Sequence, residues 1–178
     1  MIKNDRWIIE KGNAGMINPF SPEKISKGIS YGVSSYGYDF RLSEEFMIFT
    51  GKSTVSPKTI QQTDFTRYVG KTCIIPPNSF ILGKSNEYFK IPRDVLGICF
   101  GKSTYARCGI VINVTPLEPE WEGYITVQIA NLSAAKSEVY AEEGIGQIVF
   151  LCAQDVCDKS YKDLAGKYQS SIGIVLPK

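Results

Sequence analysis

The sequence predicts a mainly β protein, a small barrel or jelly roll, and two observations carry that prediction. From Tyr38 onward, short runs rich in branched and aromatic residues alternate with Gly, Pro and Asn breakers, the rhythm of many short strands joined by turns. Helical periodicity, by contrast, is confined to three short places, and neither a repeat nor a low-complexity tract interrupts the pattern. At 178 residues the chain fits a single domain with a sizeable core.

Taken in order, residues 1–30 mix charge with Gly12, Gly15, Pro19 and Pro22, which predicts a short N-terminal helix and then an extended arm. The β core is expected over 31–155. Its strands are read at Tyr38–Leu42, Glu45–Phe49, Thr72–Ile75, Ser79–Ser85, Val95–Phe100, Ile110–Val114, Tyr124–Ile129 and Gly146–Leu151. Single short helices are expected at Ser103–Cys108 and at Ser160–Ala165. Residues 156–178 form a C-terminal segment. Its last stretch, Lys167–Lys178, combines Tyr168, Gln169, Ser170, Ser171, Gly173 and Pro177 and reads as a mobile tail that acts as a lid.

Composition excludes several classes of partner and chemistry. The formal charge is +2 with both signs interspersed, so there is no broad basic face for nucleic acid, and any phosphate site must be local. Met1–Glu10 alternates charge with Trp7 and Ile8 and lacks the apolar run of a signal peptide, and no window approaches the length of a membrane span. Five cysteines, Cys73, Cys99, Cys108, Cys152 and Cys157, are odd in number and mostly sit in apolar runs, as reduced thiols do. The expected location is therefore the cytoplasm. There is no histidine and no Cys-x-x-Cys, which removes Ser-His and Cys-His nucleophile pairs, the usual imidazole ligands of zinc and the zinc deaminase signature.

Two constellations remain. Gly101-Lys102-Ser103-Thr104-Tyr105-Ala106-Arg107 follows an apolar strand and opens a short helix with hydroxyls, backbone amides and a cation one turn on, a phosphate site in outline. It is not a Walker A loop, because the glycine required five positions earlier is Leu96. An ordinary capped turn with a solvated Arg107 explains the same residues. The second is Asn113-Val114-Thr115-Pro116-Leu117-Glu118-Pro119-Glu120-Trp121-Glu122-Gly123, a turn with three carboxylates and an aromatic, equally readable as a charged hairpin tip. On the strand that follows, Tyr124, Thr126, Gln128 and Ala130 share one face, where Gln128 needs a partner or a ligand.

These segments, together with Ser34-Ser35-Tyr36-Gly37-Tyr38-Asp39-Phe40-Arg41, Ile75-Pro76-Pro77-Asn78-Ser79-Phe80, Glu143-Gly144-Ile145-Gly146-Gln147 and Gly166-Lys167-Tyr168-Gln169, run in an order that resembles dCTP deaminases of the short bacterial and chlamydial type. The resemblance implies a dUTPase-like distorted jelly roll, or β-clip barrel, assembled as a homotrimer with each site at a subunit interface and the tail closing over it. It implies that Lys102, Ser103, Thr104 and Arg107 hold the triphosphate of dCTP, dUTP or dTTP, with Ser103 also near the reacting end of the base. Thr126, Val127 and Gln128 would line the pyrimidine and deoxyribose, and Gln147, Tyr161, Lys167 and Ser171 would complete the pocket. Mg²⁺ would arrive on the phosphates, with no zinc and no dedicated metal ligand on the protein. Glu118 matches an acidic turn position that contacts the sugar and helps activate water at the phosphate in dUTPase relatives.

Two departures from that pattern stand out. Deaminases of this kind carry a glutamate where this chain has Gln128, and an amide cannot take a proton from water and return it toward N3 and the leaving ammonia. Ser171 also stands where a glutamine is usual, a smaller lid contact. Ile129 and Ala130, where relatives often have Phe and Ser, point to natural divergence of the strand. Three readings follow: a dCTP deaminase family member in which Gln128 is either an engineered trap for bound substrate or a natural site with impaired turnover, a dUTP diphosphatase using Glu118, and a non-catalytic deoxynucleotide binder.

Overall fold

The computed structural model describes residues 1–51 and 54–177; Lys52, Ser53 and Lys178 lie outside the described residues. The N-terminal helix α1 (Asp5–Lys11) begins where Asn4, in extended backbone, accepts the Trp7 N–H, and it carries Asp5 and Lys11 at the ends whose partial charges they oppose. A π-type turn (Gly12–Met16) ends it at Gly15, whose φ of 95° suits glycine. Eleven strands follow among the described residues: β1 (Ile17–Asn18), β2 (Gly32–Ser34), β3 (Gly37–Phe49), β4 (Phe65–Val69), β5 (Thr72–Ile75), β6 (Ser79–Lys90), β7 (Val95–Gly101), β8 (Ile110–Asn113), β9 (Glu122–Asn131), β10 (Ser137–Tyr140) and β11 (Gly144–Cys152). The short helix α2 (Ser103–Ala106) lies between β7 and β8.

The main sheet runs β7-β11-β3-β6-β9-β8, with β1 on β6 and β2 and β4 on β3, while β10 and β5 form a separate pair. The two outer strands curl toward each other, so that a Cβ added to Gly101 of β7 would stand 3.0 Å from Ile112 Cβ of β8, and the sheet is a nearly closed barrel. Strict alternation drives this closure. On β9, Gly123, Ile125, Val127, Ile129 and Asn131 are buried while Glu122, Tyr124, Thr126, Gln128 and Ala130 face outward, and β6 alternates in the same way. The inward faces join Tyr38, Phe40, Phe89, Ile148 and Phe150 in one cluster. Each such side chain contributes about 1.5–3 kcal/mol by leaving water.

The sequence-based strands are all present, with informative differences at their ends. Tyr38–Leu42 and Glu45–Phe49 are one strand, β3, because the chain passes through a bulge between Leu42 and Phe46 in which the buried Ser43 hydroxyl accepts the Glu45 N–H. β6 continues to Lys90 because its buried polar residues are satisfied within the sheet: Ser85 Oγ donates to Glu87 O at 2.7 Å and accepts the Ile125 N–H at 2.8 Å. The edge strands β1, β2, β4 and β10 were not foreseen. Ser160–Ala165 is not a helix. Its start is a turn in which the Ser160 N–H and the Asp163 carboxylate bond, and it ends with Ala165 at φ 49°. The tail is docked rather than free, as its hydrogen bonds to β9 below make plain.

One buried ion pair ties the barrel together. Glu87 and Arg41 face each other from β6 and β3, with Arg41 Nε 2.7 Å and Arg41 N 2.9 Å from the Glu87 carboxylate. Burial also acts on neutral acids. It pushes the Cys73 thiol up from 9.0 to about 11, Cys99 to about 12 and the Tyr105 phenol from 10.0 to about 12. Between the ordinary and raised values the unfolded chain has released protons that the folded chain still holds, so stability falls as pH rises. Urea midpoints are expected to drop steadily from about pH 9 to about pH 11; a flat profile across that window contradicts the burial of these groups.

Candidate functional site

A cavity of about 280 Å³ opens beside the outer face of β9, lined among others by Leu117, Glu118, Trp121, Thr126, Tyr161 and Ser171. The turn before β9 builds one wall. Leu117 exchanges backbone hydrogen bonds with Gly97 of β7 at 2.8 and 3.0 Å, and the Trp121 N–H closes onto Glu118 O at 3.0 Å, so the exposed Glu118 side chain is held at the cavity edge. The C-terminal segment builds the other wall. The Tyr161 N–H bonds to Pro119 O at 3.0 Å, and Arg93 clamps both walls through Glu120 at 2.6 Å and Asp163 at 2.7 Å. The Ser160 hydroxyl, then Arg93, hold the Glu120 carboxyl below its usual range; for Asp163 the Ser160 N–H and then Arg93 do the same.

The tail lies along β9 as a strap. The Ser170 N–H bonds to Glu122 O at 2.9 Å, the Tyr124 N–H to Ser171 O at 2.8 Å, and the Val175 N–H to the Thr126 hydroxyl at 3.1 Å. The Trp121 indole N–H and Tyr161 hydroxyl join it at Tyr168, through Tyr168 O and the Tyr168 N–H. The crossing needs Gly123, at φ 149°, because a Cβ there would lie 2.9 Å from Ser171 N.

The expected phosphate segment stands elsewhere on the chain. Lys102 Nζ is 2.6 Å from the Asp39 carboxylate and 3.3 Å from Ser30 Oγ, while the Gln147 amide donates to the other Asp39 oxygen and to Ser34 Oγ, both at 2.9 Å. The register that sets Gln147 directly opposite Asp39 on neighbouring strands makes this contact. Ser103 and Thr104 are exposed on α2 and Arg107 is exposed just past its end, where Arg107 Nη1 donates to Ser103 O at 2.9 Å. None of Lys102, Ser103, Thr104 and Arg107 lines the cavity. Gln128 lies one step beyond Thr126 on the outer face of β9, where its Oε1 accepts from Asn113 Nδ2 at 3.1 Å.

The structure thus brings Glu118, Thr126, Tyr161 and Ser171 to one cavity, sets Lys102 with Gln147 in a second cluster and leaves Ser103, Thr104 and Arg107 exposed on and just after a short helix. Val127 points the opposite way, fully buried in the core, and offers a ligand only its backbone. Lys167 lies on an exposed turn before the strap. Sequence reasoning gave no role to Asp39 or Arg93. A carboxylate flanked by Tyr38 and Phe40 in an otherwise apolar run was the available signal for Asp39; nothing local marks Arg93, whose partners are 27 and 70 positions away. No group of three or more His, Cys, Asp or Glu side chains able to hold a metal ion occurs among the described residues.

A family model described as dCTP deaminase-like matches residues 2–152. The chain belongs to the dCTP deaminase-like family. Its similarity to individual members is close: a protein named dCTP deaminase from Methylococcus capsulatus is 55% identical over 185 aligned positions, covering 99% of this chain and 98% of the relative. Another so named, from Acidobacterium capsulatum, is 55% identical with the same coverage. The fold agrees with a solved structure, that of 2'-deoxycytidine 5'-triphosphate deaminase from Agrobacterium tumefaciens, at a TM-score of 0.67 and 14% identity over 85% of this chain. The chain spans about half of that protein, 48% of its length. The mainly β, barrel-like class expected from the sequence is therefore the fold this family member has.

Proposed function

We propose that this protein is a hydrolytic dCTP deaminase, converting dCTP and water to dUTP and ammonia, with turnover limited at Gln128. Near-full-length relatives that carry the deaminase name favour this reading over dUTP hydrolysis and over a non-catalytic binder. What supports a shared site is the separation just described: on one chain the cation-bearing segment Lys102–Arg107 does not line the cavity beside Thr126. A homotrimer in which α2 of one subunit faces β9 of the next completes it.

In that arrangement Arg107, Lys102 and the Ser103 and Thr104 hydroxyls hold the triphosphate, and Thr126, the Val127 backbone and Gln128 line the base and sugar. Gln147, Tyr161, Lys167 and Ser171 close the pocket, and Glu118 stands at the sugar end. Mg²⁺ enters as part of the substrate, on its phosphates, in keeping with a set of described residues that holds no cluster of His, Cys, Asp or Glu for a metal. Without histidine or a Cys-x-x-Cys the sequence lacks the zinc deaminase signature, and on this reading side chains activate the water that attacks C4. A cytoplasmic location belongs to the same proposal: the five cysteines are free, as in a reducing compartment, and no described helix is long and apolar enough to cross a membrane.

Light scattering and calorimetry test this together. A trimer is expected, and Arg107→Ala should weaken dCTP binding by about tenfold or more while deoxycytidine binding holds, since a cation on phosphate is worth about 1.5–3 kcal/mol. A stable monomer that binds dCTP, or equal losses for both ligands, overturns the shared site.

A further inference from the structure

The Asn113–Gln128 pair bears on what Gln128 can offer a ligand. The two residues are directly opposite in the antiparallel register of β8 and β9, the separation at which short polar side chains meet. Asn113 Nδ2 donates to Gln128 Oε1 at 3.1 Å. On its other side β9 pairs with β6, where the residue opposite Gln128 is Leu82, which has no acceptor on its side chain. With the carbonyl oxygen turned to Asn113, the amide of Gln128 presents N–H donors to anything that docks on this face.

A pyrimidine shows that face one of two opposite groups at C4. Cytosine carries an amine, a donor, and uracil or thymine a carbonyl, an acceptor. A glutamate at 128 is all acceptor and suits the amine; a glutamine held by Asn113 is a donor and suits the carbonyl. From this geometry we infer that Gln128, oriented by Asn113, makes the site selective for 4-keto pyrimidine deoxynucleoside triphosphates over the 4-amino kind. The inference rests on the reading of the β9 face as the base site and adds its preference: the keto product of deamination is bound more tightly than the substrate. Asn113 is a positioning residue here, acting through Gln128.

Calorimetry on the full chain with Mg²⁺, using dUTP and dCTP, reads the preference as a ratio of dissociation constants, which a change in folding stability moves little because both ligands meet one preparation. The unmodified protein is expected to bind dUTP about tenfold more tightly, the value of one hydrogen bond made in one complex and opposed in the other. In Asn113→Asp the carboxylate accepts from Gln128 Nε2 and turns Oε1 outward, so the preference should reverse toward dCTP. Asn113→Ala releases the amide, and the ratio should fall below about threefold. A merely structural Asn113 gives no reversal. Equal or tighter binding of dCTP by the unmodified protein, or an unchanged ratio in Asn113→Asp, overturns the inference while leaving the deaminase reading in place. Failure of both nucleotides to bind removes the base site itself, and the inference with it.

Discussion

Gln128→Glu is expected to raise ammonia release from dCTP by about 10²–10⁴-fold, the range over which a positioned general base acts. The substitution keeps the side-chain length and exchanges an amide, which cannot cycle a proton, for a carboxylate that can take one from water and deliver it toward N3 and the departing ammonia. It also replaces the donor face of Gln128 with acceptors for the C4 amine. Asn113 remains able to donate to the new carboxylate from 3.1 Å away, so the side chain stays where it is. Ammonia and pyrophosphate should be measured separately, in parallel with Glu118→Gln. If Gln128→Glu releases no ammonia while the unmodified protein splits dUTP, the deaminase reading fails and Glu118 becomes the centre of a diphosphatase.

The largest effect on stability is expected from Glu87→Ala, with a loss of about 3–5 kcal/mol, because removing one partner of a buried ion pair strands the other charge. Glu87 is fully buried and accepts from Arg41 Nε and from the Arg41 backbone N–H. Its removal leaves a guanidinium only 12% exposed facing a void, with Glu142, at 3.8 Å, as its remaining carboxylate. Glu87→Gln keeps an acceptor and the volume and should cost less than Ala. Chemical denaturation of the two variants reads this directly; a loss below about 1 kcal/mol for Glu87→Ala means that Arg41 relaxes to solvent and the pair does not hold β3 to β6.

How much of this was legible beforehand depended on whether a signal was local. Alternation sets Tyr124, Thr126, Gln128 and Ala130 on one face of β9, as the structure does, because its period of two is written in consecutive residues. The sequence-based strand stops at Ser85, whereas β6 continues, because Ser85 and Glu87 are satisfied by Ile125 and Arg41 from other strands. The Ser160–Ala165 segment has the periodicity of a helix, yet the structure makes it a turn closed by the reciprocal hydrogen bonds of Ser160 and Asp163. At the site, the residue types in the Lys102–Arg107 and Asn113–Gly123 segments were readable, but their separation was not. That Lys102 is met by Asp39, and the cavity walls by Arg93, depends on strand order, which no single segment contains.

The strap also decides the hydrogen-bond polarity of Thr126. A hydroxyl has one proton to give and two lone pairs to receive. With Val175 docked, its N–H occupies one of those lone pairs at 3.1 Å, and the hydroxyl's own proton is left for a neighbour. With the strap lifted, the same oxygen accepts from water or ligand without competition. While the strap is docked, Thr126 therefore offers the cavity wall a donor and a single remaining lone pair, and lifting the strap would return the second lone pair to it.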